Sequence, residues 1–206
     1  MRAVTPPAPA PRLLGRLTSH GGAARRARPA RPYAPVVACA FVVAHCSSGP
    51  AAGSASVHGT IGGATVQTAD AVALLHTFGT GPGQETSLAV SITSAGGVCA
   101  AFQSGVRPGN LSVLGISVVQ LGPSVPAASY VIGQDGGTAA ATYDVTDASC
   151  VAVSVASANT GSITLTSVSS SSVAGSFDLS FGADHVTGTF FAPVCAGSNP
   201  SPTCGH

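Results

Sequence analysis

Lysine and tryptophan are absent, methionine occurs once, and charged residues make up only 7% of the 206 residues. Ordinary globular domains carry roughly 25%. The eight basic residues are all arginines, and seven of them (Arg2, Arg12, Arg16, Arg25, Arg26, Arg28 and Arg31) fall in the first 31 positions. Every acid lies after position 69, so residues 47–206 carry one arginine, Arg107, against seven acids, a net charge of −6. This balance excludes a basic nucleic-acid-binding domain and a polybasic membrane patch. Long apolar runs are also missing. The run Val36 to Ala44 is nine residues, well short of the roughly 20 that a membrane-spanning helix needs. Sparse charge together with 26 glycines argues against a helical bundle.

What is present divides the chain into four parts. Residues 1–46 combine an arginine-, proline- and alanine-rich stretch, a short apolar run and a small-residue exit, the pattern of a secretory signal peptide. Residues 47–60 are small and polar and read as a flexible tether. A β domain is expected over 61–195, followed by a disulfide-closed tail over 196–206.

The N-terminal part resembles a bacterial lipoprotein precursor. Such precursors place a cysteine just after the apolar run, and that cysteine becomes the lipid-bearing N-terminus. Val43-Ala44-His45-Cys46 has the proper run before it and the flexible Ser47-Ser48-Gly49 after it; Val36-Val37-Ala38-Cys39 has the better residue pattern but too short a run. The expected attachment site is Cys46, with Cys39 as the alternative. Acyl chains add membrane affinity at about 0.8 kcal/mol per buried CH₂.

From residue 61 onward, short stretches rich in Val, Thr and Ile alternate with Gly, Ser and Thr clusters, which suits pleated, half-buried strands. Strands are expected near 64–68, 71–78, 87–93, 111–120, 128–133, 138–145, 150–157, 161–168, 172–181 and 185–192. The alternation is clearest at Val173, Gly175, Phe177, Leu179 and Phe181, with polar Ser176, Asp178 and Ser180 between them. Gly175 and Gly188 inside strands point to bulges, bends or close backbone approach. Residues 97–105 read as a short helix stopped by Gly105. The expected fold is an all-β antiparallel sandwich of about 8–10 short strands with one helical insert; the alternative is a closed, lipocalin-like barrel.

Four cysteines remain for the domain: Cys99, Cys150, Cys195 and Cys204. An even count in an exported chain reads as two disulfides with three possible connectivities. The short span from Cys195 to Cys204 favours a local bridge between them, which leaves Cys99 for Cys150. A metal site would need a neighbouring histidine or a C-x-x-C pair, and neither is present.

From about Leu88 onward the chain is similar to small, uncharacterised exported bacterial β-domain proteins, many of them predicted lipoproteins. The likeness rests on Gly161-Ser162-Ile163-Thr164-Leu165, on Gly175-Ser176-Phe177-Asp178-Leu179-Ser180-Phe181 and on Gly188-Thr189-Phe190-Phe191-Ala192-Pro193-Val194-Cys195. It implies a cell-envelope location and a β domain, and it brings no catalytic residues.

Chemistry-bearing groups are few. Asp184-His185 among many serines is the one trace of a Ser-His-Asp arrangement, yet Asp184 sits at a turn and no G-x-S-x-G elbow is placed between strand and helix. Calcium needs six to eight oxygens, for which Asp144 and Asp147 are weak candidates and Asp135 a further acid. Sugar sites rely on aromatic faces, and the domain has only Tyr130 and Tyr143 besides its phenylalanines. No cofactor is implied. The expected function is a non-catalytic envelope lipoprotein or secreted domain, held to a membrane if Cys46 is acylated, with a protein or surface polymer as partner and no nucleic acid. The alternative is a binding module for calcium, a glycan or a small apolar ligand; a hydrolase ranks last.

Overall fold

The computed structural model describes residues 52–133, 138–197 and 203–205. Cys39 and Cys46 lie outside these residues, as does Asp135. Among the described residues no helix is long and apolar enough to cross a membrane.

The domain is an all-β sandwich. One sheet has six strands in the order β2-β1-β12-β11-β10-β7, and the other has five in the order β3-β4-β6-β8-β9. Their ranges are β1 Ser54–Ile61, β2 Ala64–Thr65, β3 Asp70–Phe78, β4 Glu85–Thr93, β5 Val106–Pro108, β6 Ser112–Leu121 and β7 Ser129–Ile132. The rest are β8 Ala139–Thr146, β9 Ala152–Ser157, β10 Thr160–Val168, β11 Ser172–Phe181, β12 Asp184–Pro193 and β13 Thr203–Gly205. Strand β13 pairs in parallel with β5 as a separate small ribbon. The sheets do not close into a barrel.

Alternation builds the core. Ile163 and Leu165 on β10, Val173, Phe177 and Leu179 on β11, and Val186 and Phe190 on β12 point inward. They meet Leu88, Val90, Ile92, Leu114, Ile116 and Val118 from the opposite sheet. The two interior glycines have a common cause. In the β11–β12 register Phe177 faces Gly188 and Phe190 faces Gly175. A Cβ on Gly188 would stand 2.5 Å from Phe177 Cζ, and one on Gly175 would stand 2.9 Å from Phe190 Cζ. Each ring therefore covers the bare backbone of its cross-strand partner.

Two sequence expectations need correction. Residues 54–60 are not tether: they belong to β1, which pairs with β12 from Ser54↔Phe191 to Gly59↔Val186. Ala55 and Val57 pack against the core while Ser54, Ser56 and His58 face out. Backbone pairing with β12 fixes the strand although its side chains are small. The disulfide pairing also differs: Cys99 joins Cys195 and Cys150 joins Cys204, closing separations of 96 and 54 residues. The tail is thus stapled to the helical segment at Cys99 and to the turn at Cys150 rather than closed on itself.

The helix α1, Val98–Ser104, forms where expected. Gly97 and Gly105 bound it at φ 74° and 73°, the left-handed region that costs glycine least. Val98 is fully buried. Its N–H donates to Asp70 Oδ2 at 3.2 Å, while Asp70 Oδ1 accepts from Ala71 N–H at 2.9 Å and Gly53 N–H at 3.2 Å. One buried carboxylate thereby joins the start of β3, the helix and the approach to β1.

Candidate functional site

The histidines and acids do not converge. Asp184 is a turn group, accepting from Gly62 N–H at 2.7 Å and Thr60 Oγ1 at 3.5 Å. His185 instead contacts Asp178 on the neighbouring strand, Nε2 to Oδ1 at 2.8 Å, with the two side chains 55% and 61% exposed. An exposed pair of this kind is strongly screened by water. Among the described residues no serine hydroxyl hydrogen-bonds to His185. His58 lies 3.2 Å from Ser56 Oγ, and His76 stacks on Phe78 with ring centroids 6.2 Å apart.

The calcium candidates separate in role. Asp144 Oδ2 accepts from Thr142 Oγ1 at 3.4 Å on its own strand. Asp147 Oδ1 accepts from the N–H groups of Ser149 and Val151, both at 2.9 Å, which is ordinary Asp turn chemistry. Among the described residues no three His, Cys, Asp or Glu side chains come together as metal ligands. Tyr130 and Tyr143 are only 7% and 5% exposed, so neither offers a ring face to a sugar. Tyr130 donates its hydroxyl to Pro126 O at 2.7 Å, and burial pushes its phenol up from the ordinary value of 10.0.

Two surface features remain. The outer face of the six-stranded sheet carries a row of hydroxyls, Ser56, Thr189, Ser176, Thr164 and Ser129, one from each of five adjacent strands. Ser129 and Thr164 hydrogen-bond through their hydroxyls at 2.7 Å. The period-two pattern marks β11 as having a wet face; strand order extends that face to β12, β1, β10 and β7.

The second feature is a cleft of about 490 Å³ between the β3–β4 hairpin and the 123–127 and 168–170 loops. Leu75, Val125 and Val168 supply its apolar wall, and Thr77, Ser124 and Ser170 supply hydroxyls. A further hollow of about 440 Å³ adjoins it, sharing Leu75 and Ser170 and running on past Leu74 and His76 to Val194 and Cys195. Among the described residues no charged side chain lines the first hollow, and His76 is the one titratable group in the second. Sequence reasoning missed this cleft because its walls come from strands and loops far apart in the chain; Pro123 and Pro126, close together in one loop, were the only local sign.

Compared with family models, curated proteins and solved structures, the chain has no significant match.

Proposed function

We propose that this chain is an exported, non-catalytic β domain of the cell envelope, tethered through a lipid on Cys46, with Cys39 as the alternative site. It works by presenting an acidic, hydroxyl-rich surface to a protein or surface polymer. The supporting observation is the pair of interleaved disulfides, Cys99–Cys195 and Cys150–Cys204. Two such bridges form and persist in an oxidising compartment, outside the cytosol. The apolar run before Cys46 and the likeness to small exported bacterial β-domain proteins agree with that location. The hydroxyl row from Ser56 to Ser129 offers a broad polar surface for a partner.

Intact mass spectrometry of the native protein, with and without reduction, tests the reading. The expected product starts at Cys46, carries added acyl mass and gains four hydrogens on reduction. Retention of residues 1–45, or four free thiols before reduction, would refute export.

A second reading, a module for a small ligand, is favoured by the double cleft along β3.

A further inference from the structure

We infer that the two hollows along β3 form one groove that binds the alkyl chain of an uncharged, single-chain amphiphile. This inference deepens the small-ligand reading above and does not depend on a lipid at Cys46.

Shape is the first argument. The hollows of about 490 and 440 Å³ share Leu75 and Ser170 and so adjoin each other. Along β3 their linings run from Leu74 to Thr77, and the second continues to Gly197. Those four residues span about 10 Å of strand. The joined space, from the 123–127 loop past β3 to Gly197, has room for an extended chain.

Chemistry is the second. Leu75, Val125 and Val168 give the first section an apolar wall, and Val125 is only 2% exposed. Placing a charge against such a wall without a partner is costly, and among the described residues neither an arginine nor a carboxylate lines either section. The net charge of −6 on residues 47–206 further repels an anion. The hydroxyls of Thr77, Ser124 and Ser170 suit a neutral head group able to hydrogen-bond.

Pre-organisation is the third. Thr86 Oγ1 donates to Gly122 O at 2.7 Å and Tyr130 to Pro126 O at 2.7 Å, pinning both ends of the 122–126 loop. Across the cleft, Ser169 Oγ accepts from Ser172 N–H at 3.0 Å, which fixes the opposite loop. A groove whose walls are already set loses little entropy on binding.

The test uses the full chain with Cys46→Ser and Cys39→Ser, so that no acyl group is attached, and with both disulfides confirmed. The probes are 1-monooctanoylglycerol, its hexanoyl analogue, octanoate and glycerol, followed by NMR titration. Monooctanoylglycerol is expected to bind one to one, with a Kd on the order of 0.5 mM from the efficiency of small ligands. The hexanoyl analogue should bind more weakly, by up to about fourfold per missing methylene. Octanoate should bind at least tenfold more weakly and glycerol not at all. The methyl resonances of Leu75, Val125 and Val168 should move together.

Ser170 and Ala127 are exposed, so Ser170→Trp and Ala127→Trp can fill the groove without disturbing the core. Either substitution should weaken binding at least tenfold at unchanged melting temperature, and His185→Ala should leave it unaltered. Absence of saturable binding, equal affinity for octanoate, indifference to chain length, or wild-type binding by both stably folded tryptophan variants would each overturn the inference.

Discussion

Replacing Asp70 with alanine should destabilise the domain by about 3 kcal/mol, an effect set by hydrogen bonding to buried backbone. Asp70 is 7% exposed and accepts from three N–H groups, on Gly53, Ala71 and Val98. Among the described residues the one ion pair is His185–Asp178, so backbone donors alone hold this carboxylate. Alanine leaves Ala71 and Val98 with buried, unpaired donors, each costing about 1–3 kcal/mol. Water can reach Gly53, which is half-buried, so its bond is largely replaced. Removing the buried carboxylate also returns part of its desolvation cost. The balance, near 3 kcal/mol, corresponds to a fall in Tm of roughly 6–12 °C for a domain of this size. Asp70→Asn keeps one acceptor oxygen but turns an NH₂ group toward an N–H donor, and should cost about 1–2 kcal/mol. Thermal unfolding followed by circular dichroism, with disulfides intact, gives the stabilities, and hydrogen exchange reports the Ala71 and Val98 amides. If Asp70→Ala costs less than about 1 kcal/mol, or if both amides keep their protection, the carboxylate is not the junction described here.

The other predictions concern separate features of the fold. Gly188→Ala places a Cβ against Ser56 O and 2.5 Å from Phe177 Cζ, and should cost about 1–3 kcal/mol by overpacking; adding Phe177→Leu should recover part of that loss, and strict additivity in the double-mutant cycle would show that the ring does not press on the glycine. Non-reducing digestion should give Cys99–Cys195 and Cys150–Cys204 peptides, and a Cys195–Cys204 peptide would contradict the structure. Removing the 96-residue Cys99–Cys195 bridge by paired alanines should cost up to about 4–5 kcal/mol, and removing the 54-residue one about 4. Because the two loops overlap, each bridge closes a shorter effective loop while the other is intact, so removing both should cost more than the sum of the single losses. For Tyr130, burial raises the folded phenol's pKa above 10.0. Its contribution is therefore complete below the unfolded value and is lost as pH rises through the folded one. Tyr130→Phe should lose about 1 kcal/mol at neutral pH and flatten the alkaline fall, read from chemical denaturation at pH 8 and above pH 10.

The strands that were legible in sequence are those where one face is apolar and the other polar. β10, β11 and β12 follow the side-chain alternation almost residue for residue, and Gly105 marks the end of α1 as a left-handed stop should. β1 was hidden because its inward residues, Ala55 and Val57, are interleaved with Ser54, Ser56 and His58 in a stretch whose composition is that of a linker. What orders it is the β12 edge, which lies about 130 residues away in sequence and leaves no mark on the local pattern. The groove along β3 was hidden for the same reason, since Leu75, Val125 and Val168 meet only when both sheets are assembled. The apolar or polar character of a segment is local information, whereas the neighbour that completes it is not.

The cysteines show what that distinction does to a sequence argument. Cys195 and Cys204 are close in the chain, and loop closure over so short a span costs little entropy. Sheet edges override that advantage. After β12, Val194 bridges to Ala73 in parallel and Cys195 N–H bonds to Ala73 O, which carries Cys195 to the open edge of β3. Asp70, at the head of the same strand, holds the N–H of Val98, so the first turn of α1 and its Cys99 stand beside that edge. Meanwhile Thr203–Gly205 pairs with Val106–Pro108, bringing Cys204 over Cys150, which is itself held at φ 58° by the turn around Asp147. Each bridge thus spans a contact that hydrogen bonds of the fold also hold. It follows that breaking the backbone contact should weaken the bridge's formation: Asp70→Ala, by freeing Val98, should slow oxidative closure of Cys99–Cys195 and leave Cys150–Cys204 closing at its normal rate. Equal slowing of both, measured by quenched thiol trapping during refolding, would mean that the bridges form before the sheet edges do.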